Sequence, residues 1–154
     1  MLKGFEIVPI LTNSSDPKAL AKALAPYIGE DTLVVASSDL SHYYSYETAI
    51  GLDRICTTAI SNCKFSDMPI CEACGKQAVL TLMHIAEIKG WQGILVDYRN
   101  SGDTAGGKNR VVGYASIAFV DRKEMTSTMK ERLSTKDREA LLRLARSAIE
   151  ARLV

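Results

Sequence analysis

Short apolar runs alternate with amphipathic segments over residues 5–120, and this alternation constrains the fold more than any other feature. Apolar runs of strand length predict four strands, at 5–11, 32–36, 92–98 and 110–120. Between them, apolar residues repeat at helical spacing and predict three helices, one beginning near Pro17, one over 46–61 and one over 75–89. Alternating strands and helices are typical of an α/β fold, so we expect a layered sheet with flanking helices.

Local signals support two of the helix boundaries. Ser15 or Asp16 offers the side-chain oxygen of a helix N-cap, and Pro17 suits the first turn that follows. Gly90 follows the third helical segment, where a glycine commonly ends a helix. The run 32–36 is apolar without alternation, which predicts a strand that is covered on both faces.

Composition and charge exclude several classes of protein. The 154 residues are 47% hydrophobic and 24% charged, as in globular domains, and the net charge of +1 predicts no nucleic-acid partner. No apolar run approaches the roughly 18 residues that a membrane helix needs, so we expect no membrane partner. The first residues lack the layout of a secretory signal, which predicts a cytoplasmic protein with free thiols. The four cysteines are Cys56, Cys63, Cys71 and Cys74.

The C-terminal residues differ in character from the rest. Residues 123–133 are polar and charged without a helical period, so we predict a linker there. Residues 134–154 place leucines and alanines on one helical face, and Ser134 suits the N-cap. Because an amphipathic helix at the end of a chain needs a surface to pack on, we expect its packing partner to lie outside this sequence.

A polar segment, Ser38-Asp39-Leu40-Ser41-His42-Tyr43, directly follows the run 32–36. Groups just beyond the end of a strand in an α/β sheet commonly line a ligand site. From a loop or a first helical turn, Asp39 and His42 can face one pocket. An imidazole serves as a metal ligand or general base, and a carboxylate orients it. The alternative is structural: Asp39 caps the following helix and His42 satisfies a hydrogen bond.

Cys71 and Cys74 form a second candidate site, in the sequence Cys71-Glu72-Ala73-Cys74-Gly75. Cys74 precedes a predicted helix, whose N-terminus stabilises the thiolate that binds metals. Two cysteines at this spacing also form half of a zinc site or a redox pair, but the sequence contains no second Cys-x-x-Cys. Small buried thiols are the alternative for this pair, and they are our interpretation of Cys56 and Cys63.

Two further features are interpreted as structural. Residues 99–109 form a polar loop with three glycines, and Asn109 stands where a phosphate loop requires Ser or Thr. We therefore expect a flexible loop over a pocket rather than a nucleotide site. His84 lies within the helix predicted over 75–89, so we interpret it as a partly buried or surface histidine.

The motifs occur in an order that resembles the Memo family. A strand leads into Ser-Ser-Asp-x-Ser-His-Tyr, a helix follows, and a Cys-Gly pair opens another helix. A strand ending in Asp-Tyr, a Ser-Gly-Asp loop and a Val-Gly-Tyr-Ala strand complete the series. In this chain the motifs are residues 37–43, 74–75, 97–98, 101–103 and 112–115.

The resemblance implies a fold and a metal site. Memo proteins are similar to class III extradiol dioxygenases, which use non-haem iron(II), so residues 1–122 are expected to be the C-terminal half of such a domain. By motif, Cys74 and His42 correspond to metal ligands, and His42 and Asp39 to catalytic groups. The implied cofactor is iron(II) or copper. The family takes two more histidines from its earlier half, so the resemblance implies an incomplete site in this chain.

The resemblance also implies partners. Residues 134–154 resemble the first helix of an AMMECR domain, which many microbes fuse to a Memo domain, and both are linked with a radical-SAM protein in the AmmeMemoRadiSam system. We expect a fragment of a metal-dependent oxidoreductase that acts on a small molecule or a peptide. One alternative is a non-catalytic module that binds a peptide in the same cleft. Another is a thiol redox protein that uses Cys71 and Cys74.

Overall fold

The computed structural model describes residues 4–104 and 106–122. The elements given below all belong to one compact unit, Met1–Asp121. The predicted linker at 123–133 and the predicted helix at 134–154 lie outside the described residues. Among the described residues, no helix has an apolar stretch long enough to cross a bilayer.

The helices begin and end close to their predicted bounds. The described residues form α1 (Pro17–Leu24), α2 (Tyr46–Ser61), α3 (Lys76–Lys89) and the single turn α4 (Ser101–Thr104), with 3-10 turns at Ala25–Tyr27 and Phe65–Ile70. Asp16 caps α1 as predicted, because its Oδ1 accepts a hydrogen bond of 3.0 Å from the Lys18 amide. Gly90 ends α3 in the left-handed conformation, with φ +72°, which glycine adopts without a steric penalty.

The sheet contains three strands in the described part of the chain, β1 (His42–Tyr44), β2 (Trp91–Asn100) and β3 (Val111–Asp121). Their order is β1-β3-β2, and both pairings are antiparallel. The long ladder runs from the pair Trp91–Asp121 to the pair Asn100–Gly113, and a bulge shifts its register between Leu95 and Asp97. Helix α2 packs against β2 and β3. The prediction of an α/β fold with a layered sheet and flanking helices is therefore confirmed.

Two predicted strands, at 5–11 and 32–36, are wrong: neither segment belongs to the sheet. Leu11 is 95% exposed, and both Leu33 and Val35 are more than 70% exposed. The run 32–36 is covered on one face only, by the packing of Val34 and Ala36 onto the core. A strand forms only beside a second backbone that supplies hydrogen bonds, and the described residues place no such backbone beside either segment.

The core lies between the sheet and its helices, in two clusters. The larger one joins the site segment to α2 and α3, and its buried members are Leu40, Cys56, Ala59, Ile60, Met68, Cys71, Val79 and Met83. The smaller one joins α1 to α3 through Ala21, Ile28 and Ile85. Because Leu40 belongs to the larger cluster, the chain around Asp39 and His42 is attached to the main hydrophobic core.

Candidate metal centre

The segment from Asp39 to His42 is anchored through its two middle residues. Leu40 is 4% exposed and Ser41 is fully buried. The Leu40 amide donates to the Gly113 carbonyl at 2.9 Å, and the Gly113 amide donates back to the Ser41 carbonyl at 2.9 Å. The outer side chains stay open to solvent, Asp39 at 49% and His42 at 34% exposure. The two candidate groups therefore project from a backbone that β3 holds on both sides of Ser41.

This anchoring corrects two expectations about the segment. His42 begins strand β1, rather than lying in a loop or a first helical turn, because the segment pairs with β3. Asp39 does not cap the following helix, since the N-cap position of α2 is Ser45. The structural interpretation of Asp39 as a helix cap is therefore wrong.

Cys74 is held against the same segment by a close approach of two loops. The Cys74 amide donates to the Asp39 carbonyl, and the Asp39 amide donates to the Cys74 Sγ atom, both at 3.2 Å. The next residue, Gly75, donates its amide to the Ser38 hydroxyl at 2.9 Å. A Cβ atom at Gly75 would overlap the Ser37 carbonyl oxygen, so only glycine permits this approach.

Asp39, His42 and Cys74 consequently form one cluster of donor atoms. One ligand atom from each residue lies within 4.8 Å of the other two, and no other such group of three occurs in the described part of the chain. Asp39 Oδ2 is 3.7 Å from His42 Nε2, which is longer than a hydrogen bond. Metal–ligand bonds of about 2.0–2.3 Å place the donors of one ion about 3–4 Å apart. The three side chains therefore fit a metal ion with small rotations.

The surroundings of the cluster are aromatic and partly acidic. Burial raises the pKa of Tyr114, and the Asp39 carboxylate raises it further by disfavouring a second negative charge. The Tyr44 hydroxyl donates a hydrogen bond of 2.6 Å to Glu72, which raises the pKa of Tyr44. Both tyrosines therefore stay protonated near neutral pH, and Tyr44 acts as a hydrogen-bond donor to Glu72.

The remaining cysteines do not join the cluster. Cys71 is 1% exposed and its thiol contacts that of Cys56 in the core, whereas Cys74 is exposed. Burial, followed by the neighbouring Cys71 thiol, raises the pKa of Cys56. Cys63 lies beyond the end of α2, is half-buried, and has its pKa raised by burial. The interpretation of Cys56 as a small buried thiol agrees with this placement.

The second histidine and the polar loop also lie apart from the cluster. His84 stacks on Phe65 with ring centroids 4.2 Å apart, as expected of a partly buried helical histidine. In the loop predicted at 99–109, the Asp103 carboxylate accepts a hydrogen bond of 2.9 Å from the backbone amide of Asn100 and one of 2.7 Å from the Tyr46 hydroxyl. The predicted loop is therefore wrong in its first part: residues 99 and 100 end strand β2, and residues 101–104 form the helical turn α4, which Asp103 anchors to β2 and α2.

One residue beside the cluster, Asp53, belongs to none of the sequence motifs. Asp53 is fully buried on α2, and its Oδ1 atom accepts a hydrogen bond of 2.9 Å from the Ser41 amide. One signal in the sequence could have identified it. Asp53 lies on the same helical face of α2 as the buried residues Ala49 and Cys56, although an aspartate is usually exposed.

Comparison with known proteins places the chain among relatives of about twice its length. The Memo-like protein family matches residues 1–118. A MEMO1 family protein of Sulfolobus acidocaldarius is 30% identical over 131 residues, which cover 77% of this chain and 46% of that protein. Another, from Aquifex aeolicus, is 32% identical over 130 residues, or 77% and 48% of the two chains. The chain spans about half the length of the curated relatives it matches. On this match, the chain belongs to the Memo-like family.

Proposed function

We propose that this chain supplies the ligands of a non-haem metal centre in a redox protein related to extradiol dioxygenases. The observation that carries the proposal is the convergence of three donor atoms, from Asp39, His42 and Cys74, within 4.8 Å. These residues are separated by up to 35 positions in the sequence, so chain proximity does not explain the convergence. Their partial exposure leaves access for a substrate and for further ligands.

The chemistry of the donors favours iron(II) or copper. Imidazole binds both metals, the thiolate of Cys74 favours soft ions such as copper(I), and the carboxylate of Asp39 favours harder ions such as iron(II). When bound, either metal would supply electron-transfer chemistry with dioxygen. Three protein donors also leave open positions, as catalytic rather than structural metal sites do.

Each residue has a distinct proposed role. Cys74 and His42 are the main metal ligands, and the Asp39 carboxylate is a third donor. The backbone amide of Asp39 also supports the Cys74 sulfur through its 3.2 Å contact. As an alternative to metal ligation, His42 is the proposed acid or base, because an imidazole can accept and return a proton. Asp39 acts on His42 electrostatically, since 3.7 Å is too long for the orienting hydrogen bond that we expected.

The wider setting follows from the same proposal. Because the chain spans about half the length of its relatives, we propose that the complete site takes further ligands from residues outside this sequence. Residues 134–154 are proposed to begin an AMMECR domain, with a radical-SAM protein as a system partner. A cytoplasmic location is proposed as well, because free thiols persist in a reducing compartment.

Metal titration of the 154-residue chain tests the site. We expect the reduced chain to bind one equivalent of iron(II) under anaerobic conditions, with the affinity measured by calorimetry. His42→Gln and Cys74→Ala are each expected to weaken binding by at least about tenfold, because each removes a direct ligand. Asp39→Asn is expected to weaken it less, because an amide oxygen remains a possible ligand.

Matched controls use the same residue types away from the cluster. His84→Gln removes the histidine that stacks on Phe65, and Cys63→Ala removes a half-buried thiol at the end of α2. Both controls are expected to leave iron(II) binding unchanged. Equal affinities in the site variants and the controls would refute the metal centre and favour the alternative, a non-catalytic cleft that binds a peptide.

A further inference from the structure

The buried carboxylate of Asp53 connects α2 to the candidate metal centre. Its Oδ1 atom accepts from the Ser41 amide at 2.9 Å, and its Oδ2 atom accepts from the Tyr98 hydroxyl at 2.8 Å. Ser41 lies between Asp39 and His42 in the chain. A hydrogen bond to its amide therefore restrains the peptide that separates the two candidate side chains.

Gly113 of β3 completes this arrangement. Its amide and carbonyl hold Ser41 and Leu40, as described above, while its Cα faces the Asp53 carboxylate. A Cβ atom at position 113 would overlap Asp53 Oδ2, so the absence of a side chain permits the carboxylate to reach Ser41. The segment from Asp39 to His42 is thus held by hydrogen bonds with the backbone of β3 and with the side chain of Asp53.

Asp53 is an unfavourable choice for packing alone. It is fully buried, and within residues 4–104 and 106–122 no Lys or Arg forms an ion pair with it. Burying a carboxylate without a cation is costly, and an apolar residue would fill the same space more favourably. The Ser41 hydroxyl is also buried and has no hydrogen-bond partner among the described residues, so restraint of Ser41 depends on its backbone.

We propose that Asp53 and Tyr98 are positioning residues that fix the Asp39–His42 segment at the distance from Cys74 that metal binding requires. Tyr98 acts through Asp53, because its hydroxyl holds the second carboxylate oxygen. The inference rests on the proposed metal centre. In this proposal, Asp53 and Tyr98 do not contact the metal, but they determine where the side chains of Asp39 and His42 lie.

Tyr98→Phe is the main test, because it removes one hydroxyl and keeps the packed ring. Titration with cobalt(II), followed by its thiolate charge-transfer absorption, measures metal affinity. We expect Tyr98→Phe to weaken cobalt(II) binding by about tenfold, the lower end of the effect of outer-shell partners. Asp53→Asn, which keeps an acceptor for the Ser41 amide, is expected to retain more affinity than Asp53→Ala.

Tyr46→Phe is the matched control. It also removes a tyrosine hydroxyl bound to a carboxylate, at 2.7 Å from Asp103, but Asp103 holds the Asn100 amide rather than residues 39–42. We expect Tyr98→Phe to lose more thermal stability than Tyr46→Phe, because Asp53 is buried, and only Tyr98→Phe to lose metal affinity. Equal cobalt(II) affinity in both variants would overturn the proposal.

Hydrogen exchange provides a readout that needs no metal. In Tyr98→Phe, the Ser41 amide is expected to lose protection relative to amides of α3, because the restraint is local. Unchanged protection at Ser41 would also overturn the positioning role. If the unmodified chain binds no cobalt(II), the metal centre is refuted, and the exchange at Ser41 still decides whether Asp53 and Tyr98 hold the segment.

Discussion

Strand β3 and the segment 5–11 are both rich in apolar residues, but only β3 is paired in the sheet. In β3, Val111 is fully buried, and the strand pairs with β2 on one side and with β1 on the other. In the segment 5–11, Val8 is 81% exposed and Leu11 is 95% exposed. The difference shows that an apolar run gives a segment the capacity to form a strand, whereas a neighbouring backbone decides whether it does.

Two residues of the candidate metal centre, Asp39 and His42, lie where an unpaired apolar run leads into a paired strand. The run 32–36 is exposed on one face, yet six residues later His42 is paired with β3. Asp39 stands between them and contacts Cys74 through both backbone groups. The donor cluster is therefore fixed by backbone contacts with β3, while its side chains remain partly exposed to solvent.

The largest expected effect comes from comparing the truncation of a buried core side chain with that of an exposed side chain in segment 5–11. Met83→Ala in the core is expected to lower the free energy of unfolding by about 2–5 kcal/mol, because it leaves a cavity. Leu11→Ala is expected to change it by less than about 0.5 kcal/mol, because that side chain is exposed. Urea denaturation measures both, and a loss at Leu11 as large as that at Met83 would contradict the comparison.

An intermediate effect is expected from Gly75→Ala, which tests the approach of the two loops. Because the new Cβ overlaps the Ser37 carbonyl, we expect a loss of about 1–3 kcal/mol of stability and weaker metal binding through displacement of Cys74. Gly51→Ala is the control, since nothing lies within 4 Å of its Cβ position and alanine favours helix α2 by about 0.5–1 kcal/mol. Equal stabilities of the two variants in urea would contradict this account.

The smallest expected effect concerns the polar end of the paired region. Hydrogen bonds from the Asn100 amide and the Tyr46 hydroxyl lower the pKa of Asp103. Its stabilising contribution is therefore present above the ordinary aspartate pKa of about 3.9 and is lost as the pH falls through the lower folded-state value. Asp103→Asn is expected to cost stability at pH 7 and progressively less below pH 4, as measured by urea denaturation. A cost independent of pH, or the same pH profile in the exposed control Glu30→Gln, would argue against it.

Local sequence signals predicted the helices well. The Asp16 cap with Pro17, the apolar spacing of α2 and the Gly90 stop all act within a few residues, so single-sequence reasoning finds them. The predicted strands at 92–98 and 110–120 correspond to β2 and β3, which pair with each other. The strands predicted at 5–11 and 32–36 failed because pairing is a property of two segments, and sequence pattern reports on one.

The candidate site was predictable in its members and not in its arrangement. Asp39, His42 and Cys74 were named from motifs and from the family resemblance, without any distance between them. Asp53 was missed, because its contact with the Ser41 amide joins a residue of α2 to one 12 positions earlier, just before β1. No periodicity distinguishes an inward-facing aspartate that restrains a backbone from one that faces solvent.

By itself, the sequence determined the helices and the two long strands, because these depend on local propensity and spacing, and its motifs named the candidate donor residues. Only the tertiary structure decided that Cys74 contacts Asp39 and that Gly113 and Asp53 bond to Ser41. It also decided that the apolar runs 5–11 and 32–36 stay unpaired. The physical reason is that hydrogen bonding and close packing between distant segments require both partners in place.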